Sequence, residues 1–225
     1  MRVRKKKHGS ERITACSRFL IDDPRSLMGD PQKYFGTERP LHLEIGCGKG
    51  SFATGLSTAR PDINLIAMEK VADVAVTALE RTAETEEMRN DNLRFIIGDA
   101  KFLPEYFPEH SIDTIYINFC DPWPKKGHTK RRLTYRGFLE IYRKLLKENG
   151  MLIFKTDNSA LFDFSMSEFE EYGLDIIWHT RDLHSETNDI AKNNIVTEYE
   201  RNFSAKGFNI CSAHVCFKNK ENDND

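Results

Sequence analysis

With 225 residues, 39% of them hydrophobic and 30% charged, the chain suits one sizeable α/β domain or two small ones, and its composition excludes a disordered or fibrous protein. A net charge of -2 and a pI near 6.4 exclude a general affinity for polyanions, so contact with nucleic acid has to come from local patches. No apolar run reaches the roughly 18 residues of a membrane helix, no apolar stretch follows the basic start as in a signal peptide, and Cys16, Cys47, Cys120, Cys211 and Cys216 form no CxxC pair, so a cytoplasmic protein with reduced thiols is expected.

Residues 1–38 are polar, basic and poorly periodic. They read as an arm or irregular cap, with turns at Asp22-Asp23-Pro24 and Gly29-Asp30-Pro31. Seven Lys/Arg between Met1 and Arg18 face one acid, Glu11. From residue 41 apolar strands alternate with amphipathic helices. Strands are expected at 41–46, 63–69, 93–97, 112–119, 151–156, 174–180 and 210–218. Helices are expected at 51–60, 71–89, 137–147 (closed by Asn149-Gly150), 160–172 (closed by Gly173) and 195–201. This alternation predicts an α/β fold: a mostly parallel seven-stranded sheet with helices on both faces. The last two strands are expected to make an antiparallel, hairpin-like edge. The expected division is an arm or cap at 1–38, one catalytic domain at 39–218 and a polar tail at 219–225.

In an open α/β sheet, ligands bind beyond the carboxyl ends of the strands. The first strand ends in Glu44-Ile45-Gly46-Cys47-Gly48-Lys49-Gly50. Gly46, Gly48 and Gly50 let backbone approach a ligand closely. The spacing is GxGxG, with Ser51 where a nicotinamide fingerprint has its third glycine, and no Walker A loop exists. A phosphate-rich ligand is therefore disfavoured. Glu69 ends the second strand, where a carboxylate accepts from both hydroxyls of a ribose. Asp99 follows the third strand within Gly98-Asp99-Ala100, where it accepts from an adenine amino group. Each feature alone is ordinary turn chemistry; their register at three successive strand ends is what gives them weight.

This order of motifs, from 41 to 218, resembles the class I S-adenosylmethionine-dependent methyltransferases. The resemblance implies a Rossmann-like fold in which Glu44 and the Gly46, Gly48 and Gly50 loop meet the methionine part of S-adenosyl-L-methionine, Glu69 the ribose and Asp99 the adenine.

The fourth strand leads into DPWPKKGHTKRR, residues 121–132. Asp121 and Trp123 each precede a proline, which pushes both toward extended backbone. Beyond them stand Lys125, Lys126, His128, Lys130, Arg131 and Arg132 with no further acid. Together with Lys155-Thr156-Asp157-Asn158, the segment Thr197-Glu198-Tyr199-Glu200 and the N-terminal Met1-Arg2-Val3-Arg4, this run closely resembles the bacterial tRNA (guanine-N7)-methyltransferases. That family forms 7-methylguanosine at position 46 of the variable loop in tRNA. The resemblance implies that Asp121 meets both cofactor and target, and that Lys125, Asp157, Thr197, Glu198, Tyr199 and Glu200 hold the substrate. Family members usually carry Arg where this chain has Gly127, which removes one cation from the strip and loosens the turn.

The residue chemistry agrees. Guanine N7 has an in-plane lone pair and no proton, so it attacks a sulfonium methyl without a general base, and the site has to supply alignment. Carboxylates suit the Watson–Crick edge of guanine, so Asp121, Asp157 or Glu200 is expected to hold a flipped base. Trp123 or Tyr199 is placed to stack on it, and Trp123 equally suits a loop anchor. Lys126, Lys130, Arg131 and Arg132 are expected on the RNA backbone. No metal is expected, and a monomer or a homodimer fits equally. The rival readings are a methyltransferase acting on an exocyclic base nitrogen, which uses an Asp/Asn-Pro-Pro-aromatic corner at this position, and a non-catalytic RNA-binding module.

Overall fold

Short apolar runs separated by turn residues become the strands of a single sheet. The computed structural model describes residues 7–84 and 91–218. Its strands are β1 (Leu41–Ile45), β2 (Asn64–Glu69), β3 (Leu93–Ile97), β4 (Ile112–Asn118), β5 (Leu146–Thr156), β6 (Leu174–Thr180) and β7 (Cys211–Phe217). They lie in the order β3-β2-β1-β4-β5-β7-β6. By its contacts the chain divides into two compact units, Met1–Ser111 and Ile112–Asp225.

In the first unit β1, β2 and β3 pair in parallel, Leu43 opposite Ile66 and Ala67 opposite Phe95. All five residues of β1 are buried, as for a parallel strand covered on both faces. Helix α2 (Ser51–Ala59) follows β1, α3 (Ala72–Glu84) follows β2, and the short α4 (Leu103–Tyr106) follows β3. Ala75, Val76, Ala78, Leu79 and Thr82 recur at helical spacing and form the buried face of α3. The remainder of the helix expected to residue 89 lies outside the described residues beyond Glu84.

The described part of the 1–38 segment contributes to this unit's core. Helix α1 (Gly9–Ala15) packs on α3, and the Arg12 guanidinium forks onto Glu80 at 2.6 and 2.7 Å. Phe19, Ile21 and Leu27 are fully buried, and the Ile21 N–H donates to the Phe95 carbonyl at 2.8 Å. Each such side chain stabilises the fold by about 1.5–3 kcal/mol. Arg2, Arg4, Lys5 and Lys6, and the tail 219–225, lie outside the described residues.

In the second unit β4 and β5 are parallel, whereas β7 runs antiparallel to both β5 and β6. The last two strands thus form the expected antiparallel edge, with β7 inserted between β5 and β6 and β6 outermost. Helices α5 (Arg136–Leu145) and α6 (Ser159–Tyr172) accompany β5, and Phe154 of that strand stacks on Phe162 and meets Phe169 edge-on, both in α6 and both at 6.3 Å. The Asn158 side chain caps α6 through the Leu161 N–H, and Gly173, at φ 82°, ends it.

Two boundaries differ from expectation. Strand β5 begins at Leu146, so Asn149-Gly150 turns within the strand and does not close α5. Asn149 is left-handed (φ 62°), and a Cβ on Gly150 would stand 2.9 Å from the Lys147 carbonyl oxygen. The helix expected at 195–201 is α8 (Glu198–Ser204), preceded by the short α7 (Asp189–Lys192). Thr197 caps α8 and Glu200 bonds back to the Thr197 N–H, a capping box that sets where the helix starts. No described helix is long and apolar enough to cross a membrane.

Candidate active site

Two sets of strand ends carry the expected residues, one in each unit. In the first unit the chain leaves β1 through Gly46, Gly48 and Gly50, at φ 79°, 56° and 75°. The Gly46 and Cys47 N–H groups donate to the Met68 carbonyl, which turns the loop across the end of β2. A Cβ on Gly46 or Gly48 would meet open space, whereas one on Gly50 would stand 2.8 Å from the Ala78 Cβ. Two of the glycines therefore leave room above the backbone, and the third lets α2 pack on α3.

Glu69 is half-buried and organises this loop. Its Oε2 accepts from the Gly48 N–H at 3.0 Å, and its Oε1 from the Val71 N–H at 2.8 Å. Each carboxylate oxygen keeps a further lone pair for a ligand hydroxyl. Glu44 is buried in β1. The buried Cys47 thiol is pushed well above its ordinary value, first by desolvation and then by the charges of Glu44 and Glu69. That marks a loop bordered by carboxylates, a poor place for phosphate. Asp99 follows β3, accepts from the Lys101 N–H at 3.2 Å and pairs with Lys70 at 2.8 Å. Burial raises its carboxyl, but these bonds and the two lysine charges outweigh it and hold Asp99 below the ordinary carboxylate range.

In the second unit β4 ends in a strained corner. Phe119 and Trp123, flanking the exposed Asp121, both have left-handed backbones, at φ 51° and 42°. The extended conformation expected of Trp123 before Pro124 is overridden. The Arg132 guanidinium donates to the Pro122 and Trp123 carbonyls at 3.0 and 3.2 Å, Arg131 lies over the indole at 5.0 Å, and His128 meets its edge. Of the two roles open to Trp123, these contacts are those of a loop anchor. The neighbouring Cys120 thiol is raised to about 12 by burial and then by the Asp121 charge.

The basic strip is a 3-10 turn over Lys126–Arg131. Lys125, Lys126, Lys130 and Arg131 are exposed, as a phosphate-binding surface requires. Arg132 is half-buried, committed to the corner and stacked 4.2 Å from the Phe164 ring, so its contacts are structural. Gly127 lies in open space and outside the left-handed region, so the turn would accept a side chain there without strain.

Asp157 follows β5 and is half-buried. The Tyr199 hydroxyl approaches its carboxylate at 3.3 and 3.5 Å. The Tyr199 ring is 43% exposed, stacks on Phe203 at 4.2 Å and lies 4.9 Å from Phe119. Its phenol is raised to about 12, by burial and then by Asp157, so it stays a donor at neutral pH. Glu198 is exposed. Thr197 and Glu200 face inward: Thr197 caps α8, and the fully buried Glu200 accepts from Lys155 and Asn194 at 2.9 and 2.7 Å and lies 3.1 Å from His184 Nε2. The expectation that Glu200 offers its carboxylate to a base is thus not matched by its packing.

Sequence reasoning missed Lys155, Asn194 and His184 as members of this set. A lysine at the end of an apolar strand was the available signal, because such a group is buried only with partners. Among the described residues no group of three or more His, Cys, Asp or Glu could hold a metal ion.

Residues 38–213 match a family model described as "Putative methyltransferase". A tRNA (guanine-N(7)-)-methyltransferase of Geobacillus sp. (strain WCH70) is 44% identical over 220 residues, 98% of this chain and 97% of that protein. The enzyme of the same name from Listeria monocytogenes serotype 4b (strain F2365) is 45% identical over 210 residues, 93% of this chain and 95% of its own. Among solved structures, the 16S rRNA methyltransferase KamB superposes with a TM-score of 0.61 at 10% identity, covering 85% of this chain and 94% of that one, a likeness of fold alone. Near-full-length identity of this degree, on a chain with these strand-end motifs, leads to one conclusion: it belongs to the tRNA (guanine-N(7)-)-methyltransferase family.

Proposed function

We propose that this chain transfers a methyl group from S-adenosyl-L-methionine to N7 of guanine 46 in the variable loop of tRNA. The observation that carries the reading is the second unit's arrangement: an exposed Asp121, a hydrogen-bonding edge made by Asp157 and Tyr199, and an exposed cationic turn, in a chain about 45% identical to enzymes of that name. The first unit fits the methyl donor. Open space above Gly46 and Gly48 admits it, Glu69 accepts from its ribose, Asp99 from its adenine, and Glu44 borders the methionine part. The scarcity of cations at this loop suits a nucleoside without phosphate. When bound, the donor supplies an electrophilic methyl on a sulfonium.

The chain's own residues then have to orient the base. Asp157 accepts from the N1–H and N2–H₂ groups of a flipped guanine, and Tyr199 adds a donor and an exposed ring face. N7 carries no proton, so Asp121 positions the reacting partners and removes nothing. Lys125, Lys126, Lys130 and Arg131 hold phosphates. Residues 39–218 form the catalytic domain in this reading, with 1–38 as an RNA-facing cap and 219–225 as a tail. The test is a tRNA transcript incubated with the protein and labelled donor, then mapped for the modified nucleotide. Label in 7-methylguanosine at position 46 is expected; label on an exocyclic amino group, or none, overturns the reading.

A further inference from the structure

A charged group sits where the second unit should be apolar. Lys155 is the penultimate residue of β5, and its side chain is 4% exposed; that of Glu200, its partner, is 0% exposed. The ammonium has three protons, and the structure gives each an acceptor: Glu200 Oε2 at 2.9 Å, Asn194 Oδ1 at 2.8 Å and the Ile195 carbonyl at 3.2 Å. Glu200 Oε1 accepts in turn from Asn194 Nδ2 at 2.7 Å and lies 3.1 Å from His184 Nε2. Lys155 also reaches the strained corner. Its carbonyl takes the Phe119 N–H at 2.8 Å, and its ammonium stands 5.7 Å from the centre of the Phe119 ring.

For stability alone, an apolar pair of similar volume would do as well, because desolvating two ions offsets most of their attraction. What a saturated buried pair adds is register: only one placement of α8 against β5 satisfies every donor and acceptor. That placement brings the Tyr199 hydroxyl to 3.3 Å from Asp157, with Phe119 against the same ring at 4.9 Å.

Resting on the methyl-transfer reading above, we propose that Lys155 and Glu200 are a positioning pair which never touches the base, and which fixes α8 so that Asp157 and Tyr199 form a single edge for guanine. Glu200 in particular acts through Lys155 and the capping box, and its carboxylate does not meet the substrate.

The test uses the full chain in four forms: wild type, Lys155→Met, Glu200→Gln and the double variant Lys155→Met/Glu200→Met. The double variant leaves no lone buried charge, so it remains informative where a single variant folds poorly. Single-turnover methyl transfer at saturating enzyme is expected to slow about 100-fold in each single variant, the loss typical of a misplaced reactive geometry. Affinity for tRNA, carried by the exposed strip, should stay within about threefold. The double variant should be no slower than the worse single one, because both substitutions break the same link. A Lys155→Met enzyme that reacts at the wild-type rate while Glu200→Gln is crippled would show direct contact between Glu200 and the base and overturn the proposal, as would losses that multiply. Amide hydrogen exchange of the protein without RNA gives a second reading: α8 should exchange faster in Lys155→Met while β5 and β7 do not. Unchanged α8 exchange overturns the pair's role whatever the substrate, whereas a wild-type chain that leaves guanine N7 unmethylated defeats only the functional reading.

Discussion

The two inner glycines of the β1 loop should fail in different ways when given a methyl group. Gly48 and Gly50 are both left-handed, at φ 56° and 75°, so alanine costs roughly 1–2 kcal/mol of backbone strain at either. Their surroundings differ. At Gly48 nothing lies within 4 Å of the new Cβ, whereas at Gly50 it would stand 2.8 Å from the Ala78 Cβ and 3.0 Å from its Cα, atoms of a helix that cannot rotate away. Overpacking of that kind adds about 1–3 kcal/mol. Gly50→Ala should therefore lose about 2–5 kcal/mol, or roughly 5–15 °C in Tm for a chain of this size. Gly48→Ala should lose only a few degrees, but its methyl fills the space assigned to the methyl donor, and S-adenosyl-L-methionine should bind at least about tenfold more weakly, about 1.4 kcal/mol. Thermal melting without ligand and calorimetric titration with the donor separate the two. A Gly48→Ala protein that binds the donor as wild type does, or that melts as low as Gly50→Ala, would refute the assignment of this loop.

Asp121→Ala should abolish methyl transfer while calorimetry still detects donor binding, and an active variant would remove Asp121 from the mechanism. Alanine at Lys126, Lys130 and Arg131 together should reduce the slope of log affinity against log salt by about 2, at roughly 0.7–0.9 per phosphate contact. Arg132→Ala should instead lower Tm and leave that slope unchanged, because its guanidinium bonds the Pro122 and Trp123 carbonyls. His214 on β7 is held near pKa 4, below the ordinary 6.5, by burial and then by the Lys155 charge. The unfolded chain therefore binds this proton first as pH falls, and about 3 kcal/mol of stability should drain away between pH 6.5 and 4. Denaturant titration across that range should show the loss in wild type and a flatter limb in His214→Asn.

The strands themselves, and the residues that stand at their ends, were legible because they rest on local chemistry. Each apolar run between turn residues has one way to be buried, and Gly46, Gly48, Glu69 and Asp99 sit at fixed offsets from those runs. The insertion of β7 between β5 and β6 was not legible, since antiparallel pairing leaves no periodicity that names a strand's neighbours. Thr197-Glu198-Tyr199-Glu200 shows both sides of this. The motif marked a candidate substrate segment, but the same four residues spell a capping box, and that chemistry turns Thr197 and Glu200 inward while leaving Glu198 and Tyr199 outside. Arg132 was misplaced for a related reason. Charge in a basic run says nothing about which guanidinium the fold needs for itself.

The corner around Asp121 explains why such borrowing is required. Two bulky residues in left-handed conformations, Phe119 and Trp123, cost on the order of 1–3 kcal/mol each and persist only where their surroundings over-determine them. Phe119 is held by the Lys155 carbonyl on its N–H and by Tyr199 against its ring. Trp123 is held by the Arg132 bonds to its own carbonyl and to that of Pro122, by Arg131 over its face and by His128 at its edge. The residue between the two clamps therefore has its backbone fixed from both sides while its side chain stays exposed to solvent. A base in a proton transfer gains from a desolvated pocket that tunes its pKa. An exposed carboxylate on an over-determined backbone gains nothing of that kind, and under the proposed reading its task is to position the partners of a methylation at an atom without a proton.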